Sequence, residues 1–168
     1  MIFWRIIDNR LHPVSEVQSL GFEESEGLRI PDEYLDKQEF MVMRTAHGLG
    51  DWAIISSMPR LLKEKYPNCK VYVPSVSLLE RLFGNIKDHW GTWENPFKAV
   101  NYVFDNNPYV DDFVDELDGE VFHDHYRIYD KENPNVPLIK QMLTFWQFNE
   151  KEMKDSQPEL YWSDKEKE

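Results

Sequence analysis

Phe40-Met41-Val42-Met43-Arg44, Thr45-Ala46-His47-Gly48-Leu49-Gly50-Asp51 and Trp52-Ala53-Ile54-Ile55 follow one another within the stretch Gln38 to Tyr66, and that succession decides the fold. The first is an apolar run of strand character and the second a glycine-bearing turn. In the third and beyond it, Trp52, Ala53, Ile55, Met58, Leu61 and Leu62 recur at the spacing of a helix with one face on a sheet. Strand, turn and helix in that order bring two glycines and a helix N-terminus to the carboxyl edge of a sheet, where open α/β folds hold their ligands. Pro59 falls inside the helical run. Lacking an N–H, it either kinks the helix or marks a restart near Ser56-Ser57. Tyr66-Pro67-Asn68 ends the run, and Lys70 to Pro74 reads as a second strand, buried on both faces. The unit is a parallel pair joined by a right-handed crossover.

Outward from this unit, Ser75 is placed to cap a helix through Phe83, with Leu78, Leu79 and Leu82 on its inner face. The aperiodic stretch His89 to Phe97 reads as a loop at the sheet's rim. Ala99 to Phe104 alternates like a strand, Asp105 to Pro108 turns, and Val110 to Val114 is a short second segment; one of the two segments is the third core strand. Asp111, Asp112, Asp115, Glu116 and Asp118 read as a solvated rim, without the spacing of a calcium loop, and no metal is expected. Gly119 to Tyr126 is a further strand candidate. On a regular strand His123 and His125 face one way and Asp124 the other, so the three do not share a metal. If the strand instead ends at Phe122, all three line the cleft beside Asp51. Pro137 opens a helix through about Phe148, with Leu138, Met142, Phe145 and Trp146 on its apolar face.

The fold class expected is α/β: a Rossmann-like three-layer parallel sheet with an N-terminal β extension. Residues 1–37 form the extension, in which Ile2 to Ile7 is expected to pair with Gly27 to Ile30 as a hairpin or edge strand. Residues 38–150 form the main domain, and residues 151–168 a charged tail or linker that frays from Trp162 onward.

Composition narrows the function classes. With 19 Lys and Arg against 31 Asp and Glu, the net charge of −12 repels nucleic acid and anionic membrane surfaces. No apolar run approaches the roughly 20 residues of a membrane span, and Met1 to Asp8 is too short and too soon charged for a signal peptide. A cytoplasmic protein is expected. The single cysteine, Cys69, excludes an intrachain disulfide framework and reads as a buried strand residue. Six tryptophans serve either a dense core or a surface that stacks on sugar rings; Trp90 and Trp93 in the rim loop are the candidates for stacking on an acceptor or, alternatively, for closing the hydrophobic edge.

Two chemistries compete for the turn. Gly48-Leu49-Gly50-Asp51-Trp52-Ala53 fits the loose glycine pattern of a dinucleotide site, whose backbone N–H groups hold a pyrophosphate. Asp51 opposes it, because a carboxylate at the helix start fills the region of positive potential a phosphate needs. The acid that would bind a ribose, expected about 20 residues on, is missing from the end of Lys70 to Ser75. A nucleotide-dependent oxidoreductase is thereby disfavoured. A carboxylate on a rigid turn can instead accept the proton of an attacking hydroxyl, or can act only as a cap on the N–H of Ala53 or Ile54.

Arg44, Gly48-Leu49-Gly50-Asp51, Pro59, Leu61-Leu62, Tyr66-Pro67 and Asn107-Pro108-Tyr109-Val110-Asp111 together give a chain that resembles the N-terminal domain of the heptosyltransferase-like glycosyltransferases, the ADP-heptose:lipopolysaccharide family of GT-B architecture. The likeness covers roughly Phe40 to Val114 and, more faintly, Pro158 to Tyr161, which looks like the linker into a second domain. It implies the acceptor-side half of an enzyme that moves a sugar from a nucleotide-sugar to a glycan or lipopolysaccharide-type acceptor, with Asp51 as general base. Arg44, His47, Gly48, Gly50, Trp90, Trp93, His123, Asp124 and His125 are the residues expected to meet substrate. The nucleotide-sugar is then a co-substrate, no resident cofactor is expected, and the partner is a donor-binding domain or second subunit. The competing class is a non-catalytic binding or assembly module on the same fold.

Overall fold

The computed structural model describes residues 4–7, 10–13, 32–36, 38–43, 48–83, 95–116, 121–123 and 137–167. Among them, strand β3 (Glu39–Met41) leads to helix α2 (Leu49–Ile54) and helix α3 (Met58–Lys65), then to strand β4 (Lys70–Pro74) and helix α4 (Val76–Phe83). A 3-10 turn, Pro96–Lys98, runs into helix α5 (Ala99–Phe104), and strand β5 is Asp112–Val114. β3, β4 and β5 form a parallel sheet in that order, with Phe40 beside Val71 and Val73 beside Phe113. Earlier in the chain come strands β1 (Trp4–Ile7) and β2 (Arg10–Pro13) and helix α1 (Asp32–Asp36); later come strand β6 (Val121–His123) and helix α6 (Leu138–Phe145). β1 pairs antiparallel with both β2 and β6, and β6 approaches β3, the edge strand of the parallel sheet. The fold is α/β, and its parallel strand order is compatible with the first half of a doubly wound sheet.

The layering follows from β4. Val71 and Val73 are fully buried on one face and Pro74 is buried on the other. α3 and α5 both pack on this strand, and α5 also packs on α2. Trp52 of α2 meets Phe104 of α5 edge to face, with ring centroids 6.3 Å apart, while Phe40 of β3 meets Trp146 just past α6 in the same way at 6.0 Å. The seam between sheet and helices is closed by Ile55, Leu61, Leu62, Leu78, Leu79 and Val100, all buried.

Pro59 marks a restart. It lies in the first turn of α3, where its missing N–H costs no helix bond, and Ser56 and Ser57 separate α3 from α2. Ser75 caps α4: its Oγ accepts from the Leu78 N–H at 3.1 Å. α6 closes without a glycine, with Gln147 at φ 58° and the Phe148 N–H bonded back to the Leu143 carbonyl at 2.9 Å.

Three expectations are corrected. Ala99–Phe104 is a helix, because Ala99, Val100, Val103 and Phe104 form one buried helical face and Asn95 caps the turn before it through the Phe97 N–H; the third core strand is therefore Asp112–Val114. β1 pairs with Arg10–Pro13 rather than with Gly27 to Ile30, and those later residues lie outside the described ones. The acidic run is exposed at Asp111, Asp112, Asp115 and Glu116, as a solvated rim is, but Asp111 is also tied down: its carboxylate accepts from Lys63 Nζ at 2.5 Å, Lys70 Nζ at 3.4 Å and the Val71 N–H at 2.7 Å. The end of the chain does not fray from Trp162. Ser163 and Glu166 form a capping box around a 3-10 turn, and Glu166 accepts from Asn106 at 3.4 Å.

A second device binds the chain's end to its middle. Arg60 of α3 donates to Glu159 at 3.0 Å, to Glu64 at 2.7 Å and to the Asp155 carbonyl at 2.5 Å. The Glu159 N–H donates to Ser56 Oγ at 2.8 Å, and Ser56 donates to the Ala53 carbonyl at 2.7 Å. Buried Asn107 donates to the Ser56 carbonyl at 3.3 Å. Ser56, in the break between α2 and α3, is thus tied to groups far away in sequence. Burial alone would lower the Arg60 guanidinium's affinity for its proton, but the hydrogen bonds to Glu64 and Glu159 outweigh it and hold the group above its ordinary range. Burial and the bond donated to Glu159 at 2.8 Å likewise push the Tyr161 hydroxyl up.

Candidate functional site

The carboxyl edge of the parallel sheet is built by the segments that leave each strand. After β3 the chain reaches Gly48, Leu49 and Gly50, all exposed, and then the half-buried Asp51. Gly48 is the N-cap of α2, so Asp51 stands at the third helical position, within the first turn, and not at the cap itself. Its carboxylate turns back toward the turn: a Cβ built on Gly48 would lie 2.9 Å from Asp51 Oδ2. A side chain at position 48 would move that carboxylate from its place. Gly50 has open space around it.

After β4 and β5 comes a second carboxylate. Asp115 Oδ1 accepts from Ser75 Oγ at 2.6 Å and from Ser77 Oγ at 2.5 Å, and Arg81 donates to the Asp115 carbonyl. The hydroxyls of Ser75 and then Ser77 hold the Asp115 carboxyl below the usual carboxylate range. Ser75 passes the effect inward, since its Oγ also accepts from the α4 backbone. Each of the two helices that start at this edge, α2 and α4, therefore has a carboxylate of this chain at its positive end. A phosphate at either end would meet like charge. Ser75 is legible in the sequence as a cap, whereas Asp115 is not, because nothing local signals that β5 delivers it to the start of α4.

Of the residues expected to meet substrate, Gly48, Gly50 and Asp51 are brought together in one turn. Arg44, His47, Trp90, Trp93, Asp124 and His125 lie outside the described residues. His123 closes β6 and pairs through its backbone with Trp4 in the antiparallel sheet, so the strand does not stop at Phe122. Among the described residues no group of three or more His, Cys, Asp or Glu is arranged to hold a metal ion, and no helix is long and apolar enough to cross a membrane.

Fold and edge together define an α/β protein whose parallel sheet presents a glycine turn and two carboxylates at its carboxyl end. Comparison with protein-family models, with curated proteins and with solved structures finds no match to this chain.

Proposed function

We propose that the chain is the acceptor-side, Rossmann-like half of a GT-B glycosyltransferase similar to the heptosyltransferases, with Asp51 as the general base that takes the proton of the attacking sugar hydroxyl. The observation that supports it is the half-buried carboxylate in the first turn of α2, just after two exposed glycines. A base needs an open approach, and the exposed glycines before Asp51 leave one. As the hydroxyl oxygen bonds to the anomeric carbon, its proton passes to Asp51 and the nucleoside diphosphate leaves with the electron pair of the broken bond. The two self-supplied carboxylates at the helix starts disfavour a pyrophosphate on this half, which agrees with a donor held by another domain or subunit. The same feature speaks against a dinucleotide-dependent oxidoreductase.

Saturation-transfer NMR with heptose-containing core oligosaccharides and, separately, with NAD is the first test; transfer to the oligosaccharide and none to NAD is expected. In a transfer assay with the donor-binding partner present, Asp51→Asn is expected to keep oligosaccharide binding and to slow turnover about 10²- to 10⁴-fold. Unchanged turnover removes the base, and loss of turnover without any oligosaccharide signal assigns the turn to structure alone.

A further inference from the structure

We infer that the outer face of α5, together with the C-terminal turn fastened to it, is a docking surface for an arginine-bearing segment of a partner protein. Tyr102, Asp105 and Asn106 stand at positions i, i+3 and i+4 along α5 and its helical C-cap, and so share one face. Tyr102 is 69% exposed although it is a large aromatic. Asn106 donates to Glu166, and Glu166 is held in place by Ser163, its N–H donating at 2.8 Å and its hydroxyl at 2.6 Å. Trp162, the residue before that turn's cap, is 59% exposed. One uncovered ring thus shares the helix face of Asp105 and a second directly precedes the turn that holds Glu166, on a molecule of net charge −12.

The carboxylates are close enough to oppose each other's charge. Burial and then the neighbouring Glu166 push the Asp105 carboxyl up, a penalty that an incoming cation relieves. Arginine is the side chain that fits this chemistry. Its guanidinium stacks on an aromatic face while its N–H fork pairs with a carboxylate. Aromatic anchors rimmed by charge are also the usual make-up of a protein-binding patch, and a basic partner gains from the field of the whole acidic molecule. The surface involves none of the residues of the Asp51 turn, so it stands or falls independently of the transferase proposal.

The test is a titration of the full chain with a short peptide alternating arginine and glycine, followed by the Trp162 indole N–H resonance, which Trp162→Phe identifies by its loss. A saturable shift at that resonance, weakened by added salt, is expected, as is no shift with the glutamate counterpart. Tyr102→Ala, followed by that resonance, and Trp162→Ala, followed by titration calorimetry, should each weaken binding about two- to fivefold. Asp105→Asn keeps both rings and should weaken it by a similar factor, which separates electrostatic recognition from a folding defect. No shift with the arginine peptide, equal affinity in all three variants, or a shift with maltoheptaose and none with the arginine peptide would overturn the proposal, the last marking the face as a carbohydrate surface.

Discussion

Replacing Arg60 by methionine keeps the apolar stem and removes three donors, two of which tie the chain's end to α3. The parts are unequal. The pair with Glu159 is largely buried, the side chains being 15% and 23% exposed, and a charge-assisted bond of that kind contributes about 1.5 kcal/mol or more. The pair with Glu64 is a helical neighbour whose carboxylate is 58% exposed, so it adds about 0.3–0.5 kcal/mol. The Asp155 carbonyl stays open to solvent, and its bond is largely replaced by water. Arg60→Met is therefore expected to cost about 2 kcal/mol in urea unfolding, or about 4–8 °C in Tm. A double-mutant cycle with Glu159→Gln should return a coupling of at least about 1 kcal/mol, and one with Glu64→Gln less than about 0.5 kcal/mol. Amide exchange gives the local readout: the Glu159 N–H, bonded to Ser56 Oγ, should lose protection in the variant while the Val71 and Val73 amides of β4 keep theirs. A loss below about 0.5 kcal/mol, or equal couplings to the two glutamates, would refute the reasoning that burial decides the strength of this clamp.

The geometry sets two further outcomes. Burial opposes ionisation of Asp111, but Lys63, the Val71 N–H and Lys70 outweigh it and lower the carboxyl's pKa on folding. Its contribution is therefore complete above the ordinary carboxylate value of about 3.9 and vanishes as pH falls through the lower folded value. Asp111→Asn should cost about 1–3 kcal/mol at neutral pH and flatten the acid limb of stability against pH; an unchanged acid limb would contradict the assignment. At the glycine turn, Gly50→Ala meets no neighbour and should stabilise the chain by about 0.5–1 kcal/mol. Gly48→Ala must displace the Asp51 carboxylate, so nuclear magnetic resonance of the Asp51 side chain should move in this variant and not in Gly50→Ala.

The sequence carried β3, β4 and their helices because the apolar runs are bounded by residues with one meaning each. Pro59 permits only a kink or a start, Ser75 precedes an apolar helix, and Pro67-Asn68 cannot continue one. Ala99–Phe104 misled for an equally definite reason. Six residues make fewer than two helical turns, and in so short a window Ala-Val-Asn-Tyr-Val-Phe satisfies alternation as well as a buried helical stripe. The deciding signal lay just upstream, in Asn95-Pro96, a cap followed by a residue suited to a first turn. Asp111 and Asp115 stand in one acidic run, yet the first is clamped by lysines and the second by serines. Their partners come from α3, β4 and α4, and pairing across a sheet leaves no mark in local composition. The turn itself was legible in its residues and in Asp51's neighbourhood to the helix start, but not in the way the carboxylate folds back over Gly48.

Cys69, at the entrance to β4, is fully buried, and its carbonyl accepts from Lys63 at 2.6 Å. Burial pushes its thiol up despite the nearby Lys63 charge, so little of the reactive thiolate forms near neutrality. As the single sulfhydryl of the chain, it makes a built-in gauge of sheet opening. An alkylating reagent marks only those molecules in which the central strand has come away from its neighbours, and the rate of labelling counts those events without any engineered probe.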